Sequence, residues 1–149
     1  MSRGWQVEVA SSVAGAPPVS RVRGAILRIR RALRASRVSE ARGKSELSIL
    51  FCGDGKMRSL NRRFRRKDSS TDVLSFPAGD GALLGDIVIC VPYAARKARG
   101  RRGGTSREMD RLLLHGYLHL LGYDHETDDG EMDTLEAAVS GRLLLGARR

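Results

Sequence analysis

The sequence predicts an α+β fold, a small mixed β-sheet of about four strands with helices packed against it. Two patterns carry that prediction. Strand-length apolar runs occur at residues 5–10, 46–52, 73–76 and 87–91. Longer stretches between and after them repeat their apolar residues at helical spacing. A third observation sets the scale: 149 residues without an internal repeat or an interdomain linker suit one domain, residues 1–149.

The elements follow in order. Residues 5–10 (WQVEVA) alternate as a strand does. Pro17 and Pro18 punctuate, and Pro18 suits a first helical turn. Val22, Ile26, Ile29 and Leu33 then mark an amphipathic helix over Val19–Ala35, with arginines between them. ELSILFC, residues 46–52, reads as a strand. Asp54 is placed to cap a helix whose apolar face is Met57, Leu60 and Phe64. Val73–Phe76 is a short strand stopped by Pro77, and Gly79–Gly81 makes a loop. Ile87–Val91, apolar throughout, reads as a central strand. Pro92–Arg99 looks helical, and a basic glycine-rich loop follows to Gly104. Thr105 and Glu108 have capping-box spacing before a helix that runs to about Leu121, where Gly122 stops it. The last helix, residues 129–145, turns Met132, Leu135, Val139 and Leu143 inward.

Composition narrows the function class. Apolar residues make up 41% of the chain, enough to build a core and to argue against global disorder. No stretch approaches the ~18 apolar residues of a membrane span, and no secretory signal is visible, so a cytoplasmic protein without a membrane partner is expected. The formal charge of +10 is unevenly spread. Residues 1–107 hold 23 basic and 8 acidic side chains, whereas residues 108–149 hold 4 and 9. Basic clusters at residues 21–44, 56–67 and 96–107 would attract a phosphate backbone. The alternative is a merely solvated surface, since 23 of the 27 cations are arginine and codon composition alone can enrich arginine. The seven aromatic residues are scattered, so any nucleic acid would be held by arginine–phosphate contacts rather than by stacking. Cys52 and Cys90 each end an apolar run and read as buried thiols.

All three histidines, His115, His119 and His125, fall within eleven residues. The first two are four apart on a predicted helix and therefore share a face. Gly122 lets the chain turn back and bring His125 to the same ion. Three imidazoles leave one zinc position open for water, as in a catalytic site. The pattern HxxxHxxGxxH makes this a zincin-like metal-binding helix. A metalloprotease of that pattern needs glutamate directly after its first histidine as general base. Gly116 stands there and cannot take a proton.

HGYLHLLGYDH, residues 115–125, resembles the signature of the YbeY family of metal-dependent endoribonucleases. LNRRFRRKDSSTDVLSFP, residues 60–77, and LGDIVIC, residues 84–90, resemble two further segments of that family in the same order. Phe64 stands where tyrosine is common. The resemblance implies one zinc ion on His115, His119 and His125, and cleavage of single-stranded RNA. It implies a role in ribosomal RNA processing at the 3′ end of small-subunit RNA, in ribosome maturation and in quality control. Ribosomal RNA, the small subunit and its assembly proteins are the implied partners, and Arg65 is the implied catalytic residue. A non-catalytic, zinc-stabilised ribosome-assembly factor is the alternative from another class. Arg62, Arg63, Arg66 and Lys67 are candidates for guiding the RNA backbone. Thr71, Asp72 and Ser75 lie in the block of residues 60–77, where Thr71 and Ser75 are expected to shape the backbone near the groove rather than act as nucleophiles, since no histidine is spare to activate them. Asp124 is expected either to cap the turn after Gly122 or to act as a base or as a hydrogen-bond acceptor for a histidine ligand.

Overall fold

The computed structural model describes residues 4–146. Four strands and five helices occur among them: β1 Gln6–Ser11, α1 Val19–Ala35, β2 Glu46–Cys52, α2 Asp54–Arg65, β3 Val73–Pro77, β4 Leu83–Cys90, α3 Val91–Ala98, α4 Gly104–Leu120 and α5 Glu131–Gly146. The sheet order is β1-β2-β4-β3. β1, β2 and β4 run parallel, and β3 is antiparallel to β4. This is the predicted mixed sheet, with β4 in its interior. Pro77 ends β3, an edge strand, where its missing N–H costs no ladder bond.

Strand alternation divides the core. Leu47, Ile49 and Phe51 of β2 and Ile87 and Ile89 of β4 belong to the main core, with α1 and α4. Cys52, Leu74, Val88 and Cys90 point to the other face and pack around Met57 of α2. Both cysteines are buried free thiols, as expected. Burial raises the Cys52 thiol to about 11. Val22, Ile26, Ile29 and Leu33 of α1 are buried at the predicted spacing, and Met132 and Val139 of α5 are fully buried.

Local expectations fail where tertiary partners compete. Asp54 does not cap α2, because Gly53 is the N-cap. Its carboxylate instead accepts hydrogen bonds from Arg96 Nη1 and Nη2 at 2.9 and 2.8 Å and from Ser70 Oγ at 2.7 Å. The Arg96 guanidinium and these bonds hold it well below the ordinary carboxylate range. The Thr105–Glu108 capping box does not form, since Gly103 is the N-cap of α4. Glu108 is buried and accepts two bonds from Arg111, at 2.7 and 3.1 Å. Phe64 is 54% exposed rather than inward, with its ring edge-on to Phe76 across 5.0 Å. β4 begins at Leu83, before the predicted apolar run, because β3 and β2 supply its pairing. Val91 opens α3 instead of closing the strand. The N-terminus of α5 is satisfied by Asp128, whose carboxylate accepts the Gly130 and Met132 N–H groups, both at 2.9 Å.

Candidate metal centre

The centre is built on α4, which lies directly against the sheet. Gly116 makes that approach possible. A Cβ there would stand 2.9 Å from Ile87 Cγ2 and 3.2 Å from Ser75 Oγ. Ser75 Oγ in turn donates to the Gly116 carbonyl at 3.1 Å and ties β3 to α4. With Gly116 inward, the adjacent His115 stands at the rim of the sheet, half-buried, and His119 lies one turn on.

Gly122 ends α4 as expected. Its φ of 101° suits a residue without Cβ. The Gly122 N–H donates to the His119 carbonyl and the Tyr123 N–H to that of Leu118, the two bonds of a Schellman closure. The chain then folds back. Asp124 Oδ1 accepts the Glu126 N–H at 3.0 Å, and its carbonyl accepts the N–H groups of Thr127 and Asp128. Asp124 thus shapes the loop that carries His125, the turn-capping alternative of the sequence reading.

The three imidazoles converge. His115 Nε2 and His119 Nε2 are 3.2 Å apart, and one nitrogen from each of the three rings lies within 4.8 Å of the others. Two nitrogens about 2.0–2.1 Å from a tetrahedral ion are about 3.3 Å apart, so the first pair already has the required separation. His125 is exposed, and its ring centroid is 5.5 Å from each of the other two. Burial, reinforced by the charges of His115 and His125, pushes the His119 pKa down and favours the neutral imidazole that a metal needs. The donor set therefore fits a divalent cation with nitrogen preference.

One supporting residue was not read from the sequence. Glu136 Oε2 of α5 is 3.3 Å from His115 Nδ1. Burial opposes its ionisation, but the hydrogen bond to His115 and the charges of His115 and Arg111 outweigh that and hold its pKa below the ordinary value. A carboxylate on the far nitrogen fixes the ring and presents Nε2 to the metal. The signal was available. Glu136 lies between Met132 and Val139 at the spacing of the buried stripe, where an acidic side chain needs a partner.

The histidines occupy a cleft of about 600 Å³. Arg65, at the end of α2, and Lys67, just beyond it, line it with the histidines, together with Lys97 of α3 and Arg111 of α4. Arg65 reaches toward Glu126, with Nη2 4.0 Å from Oε1, and is 43% exposed, which leaves its fork accessible. Thr71, Asp72 and Ser75 form part of the wall. Asp72 accepts from Lys97 Nζ at 2.9 Å and so positions a cation at the rim. Arg62 and Arg63 do not reach the cleft. They border a separate depression with Arg58. Arg66 closes α2 in the left-handed conformation, with φ of 56°.

Comparison with known proteins agrees with this architecture. The family described as Endoribonuclease YbeY matches residues 22–143. A protein of that name from Anaeromyxobacter sp. (strain Fw109-5) is 51% identical over 134 residues, covering 85% of this chain and 70% of its own. One from Anaeromyxobacter dehalogenans is 54% identical over 122 residues, 72% of this chain and 62% of its own. One from Solibacter usitatus is 44% identical and covers 86% and 84%. A solution structure of a Thermotoga maritima protein superposes with a TM-score of 0.63 over 95% of this chain and 91% of that one. At 22% identity it supports the fold alone. With the matched residues spanning the basic helix α2, strands β2 to β4 and the histidine triad of α4 and the loop after it, the chain belongs to the endoribonuclease YbeY family.

Proposed function

We propose that this chain, acting as a single domain, is a zinc-dependent endoribonuclease that cleaves single-stranded RNA in the histidine cleft. Its place is in ribosomal RNA processing at the 3′ end of small-subunit RNA, in ribosome maturation and in quality control in the cytoplasm. The small subunit and its assembly proteins are its partners. One observation carries the reading: three imidazole nitrogens meet in a cleft that Arg65, Lys67, Lys97 and Arg111 also line. Anionic substrate and metal are thereby accommodated in one place. No helix of the described residues is long and apolar enough to cross a membrane.

His115, His119 and His125 would hold the ion, with Glu136 orienting His115. A bound divalent cation supplies Lewis acidity toward a phosphoryl oxygen and lowers the pKa of coordinated water. Arg65 presents its guanidinium fork to the non-bridging oxygens as negative charge grows on phosphorus. Lys97, held by Asp72, and Arg111, held by Glu108, keep positive charge at the cleft wall without collapsing into it. Asp124 accepts the Glu126 N–H through Oδ1 and shapes the loop that carries His125.

Peptide hydrolysis is disfavoured twice. Gly116 brings no base, and Ile87 occupies the space any side chain there would enter. The decisive experiment compares the protein, its His119→Ala variant and a chelated sample on single-stranded RNA and on casein. RNA cleavage lost in both controls, with casein untouched throughout, is expected. RNA binding without cleavage in the metal-loaded protein would favour the assembly-factor reading instead.

A further inference from the structure

Arg107, Arg111, His115 and His119 follow one another at four-residue intervals along α4. Such residues form a stripe that winds slowly around the helix, each about 6 Å further along the axis. Its C-terminal half is the histidine pair. Its N-terminal half opens into a second groove of about 600 Å³ between α1, α4 and α5. Arg111 lines both cavities.

The second groove is ringed by Arg28, Arg101, Arg102 and Arg107. None of these four is ion-paired among the described residues. The acids nearby are already committed: Glu108 to Arg111, and Asp110 to Arg21 at 3.5 Å. The N-terminus of α4 also borders the groove at Gly104 and adds the positive end of a 17-residue helix. The floor is aliphatic, with Ile29, Leu114 and Leu143, and no aromatic ring lines it. The groove therefore offers charge for a backbone and no platform for a base.

We propose that this groove is an exosite for the substrate strand, which leaves the histidine cleft past Arg111 and lays its phosphates against Arg107, Arg101 and Arg102. The inference rests on the endoribonuclease reading of the histidine cleft. Arg107 lies about 12 Å along the helix from His115, some four nucleotides at the rise of a stacked strand. The exosite thus distinguishes long RNA from short and is indifferent to base identity there.

The test uses the full chain in a His119→Ala background, so that RNA stays intact, with Arg101, Arg102 and Arg107 all changed to Glu, or all to Gln. Far-UV circular dichroism confirms the fold. Binding of labelled single-stranded RNAs of about 20 and about four nucleotides is followed by fluorescence anisotropy over a range of salt. The Glu variant is expected to bind the long RNA about tenfold or more weakly and to lose about 2 from the salt slope. The Gln variant is expected to fall between, and the short RNA to bind all forms alike. Unchanged long-RNA binding overturns the exosite, as does an equal loss for both lengths. Selective loss of an acidic peptide instead of RNA also overturns it and makes the groove a protein-docking site. If metal-loaded protein with the native histidines binds RNA but does not cleave it, the nuclease reading fails while the length-dependent binding still decides the exosite.

Discussion

Gly116 and Ile87 are in direct apposition: a methyl group on Gly116 would stand 2.9 Å from Ile87 Cγ2. Glycine in a helix interior normally costs about 1 kcal/mol relative to alanine. Here the sign reverses, because Ile87 is fully buried in a central strand and cannot withdraw. Gly116→Ala is expected to destabilise the fold by about 1–3 kcal/mol, the range for overpacking. Urea unfolding measures it. A gain in stability would mean that α4 lies further from the sheet. Gly116→Glu, which restores the peptidase spelling, is expected to be less stable still and to show no proteolysis.

The Glu136–His115 contact makes a separable prediction. Glu136→Gln keeps the shape but removes the charge that orients the imidazole. Metal affinity is expected to fall about 10- to 100-fold, with little change in the far-UV spectrum. Competition against a chromophoric chelator reads this directly. An unchanged affinity would reduce the 3.3 Å contact to incidental packing.

These two relationships mark what the sequence makes legible. α1 and β2 lie over the residues their patterns predict, because periodicity reports burial and burial is what shapes those elements. The histidine triad was equally readable, since its members are local to one helix and one turn. Partners distant in sequence were not. His115 and Glu136 are 21 residues apart, Asp54 and Arg96 are 42, and only the fold joins them. Competing arginines, 42 residues away for Asp54 but only three for Glu108, defeated the capping predictions. Asp54 and Glu108 have cap chemistry, but a bidentate arginine outcompetes a backbone N–H for either carboxylate. Phe64 was misplaced for a related reason. α2 covers only the smaller core, and Phe76 meets the ring near the surface.

Arg65 is the member of the basic helix whose loss should affect chemistry most. It lines the cleft with the histidines, whereas Arg62 and Arg63 border a different depression. Arg65→Ala is expected to lower kcat/KM for RNA about 10²- to 10³-fold while bound metal is retained, by comparison with removal of one oxyanion donor. Arg65→Lys should recover only part of it, because a point charge lacks the guanidinium fork. Arg62→Ala serves as the control. Similar losses in Arg62→Ala and Arg65→Ala would reduce Arg65 to general electrostatic attraction.

Asp72 gives the fold an acid-sensitive joint. Its side chain is only 17% exposed. Burial by itself would raise its pKa. The hydrogen bond and charge of Lys97, the Val73 N–H at 2.7 Å and the charge of Arg111 outweigh that and lower it. The sign follows from linkage. With the folded value below the unfolded one of about 3.9, the unfolded chain binds more protons in acid. Asp72 therefore contributes its full stabilisation above about pH 4 and loses it as pH falls through the folded value. Asp72→Asn is expected to cost about 1.5–3 kcal/mol at pH 7, the range for hydrogen bonds to a charged group. The difference from wild type should narrow toward pH 3, which urea titrations at both pH values would measure. A gap of the same size at both would mean that packing around residue 72, not its charge, holds β3 to α3 and α4.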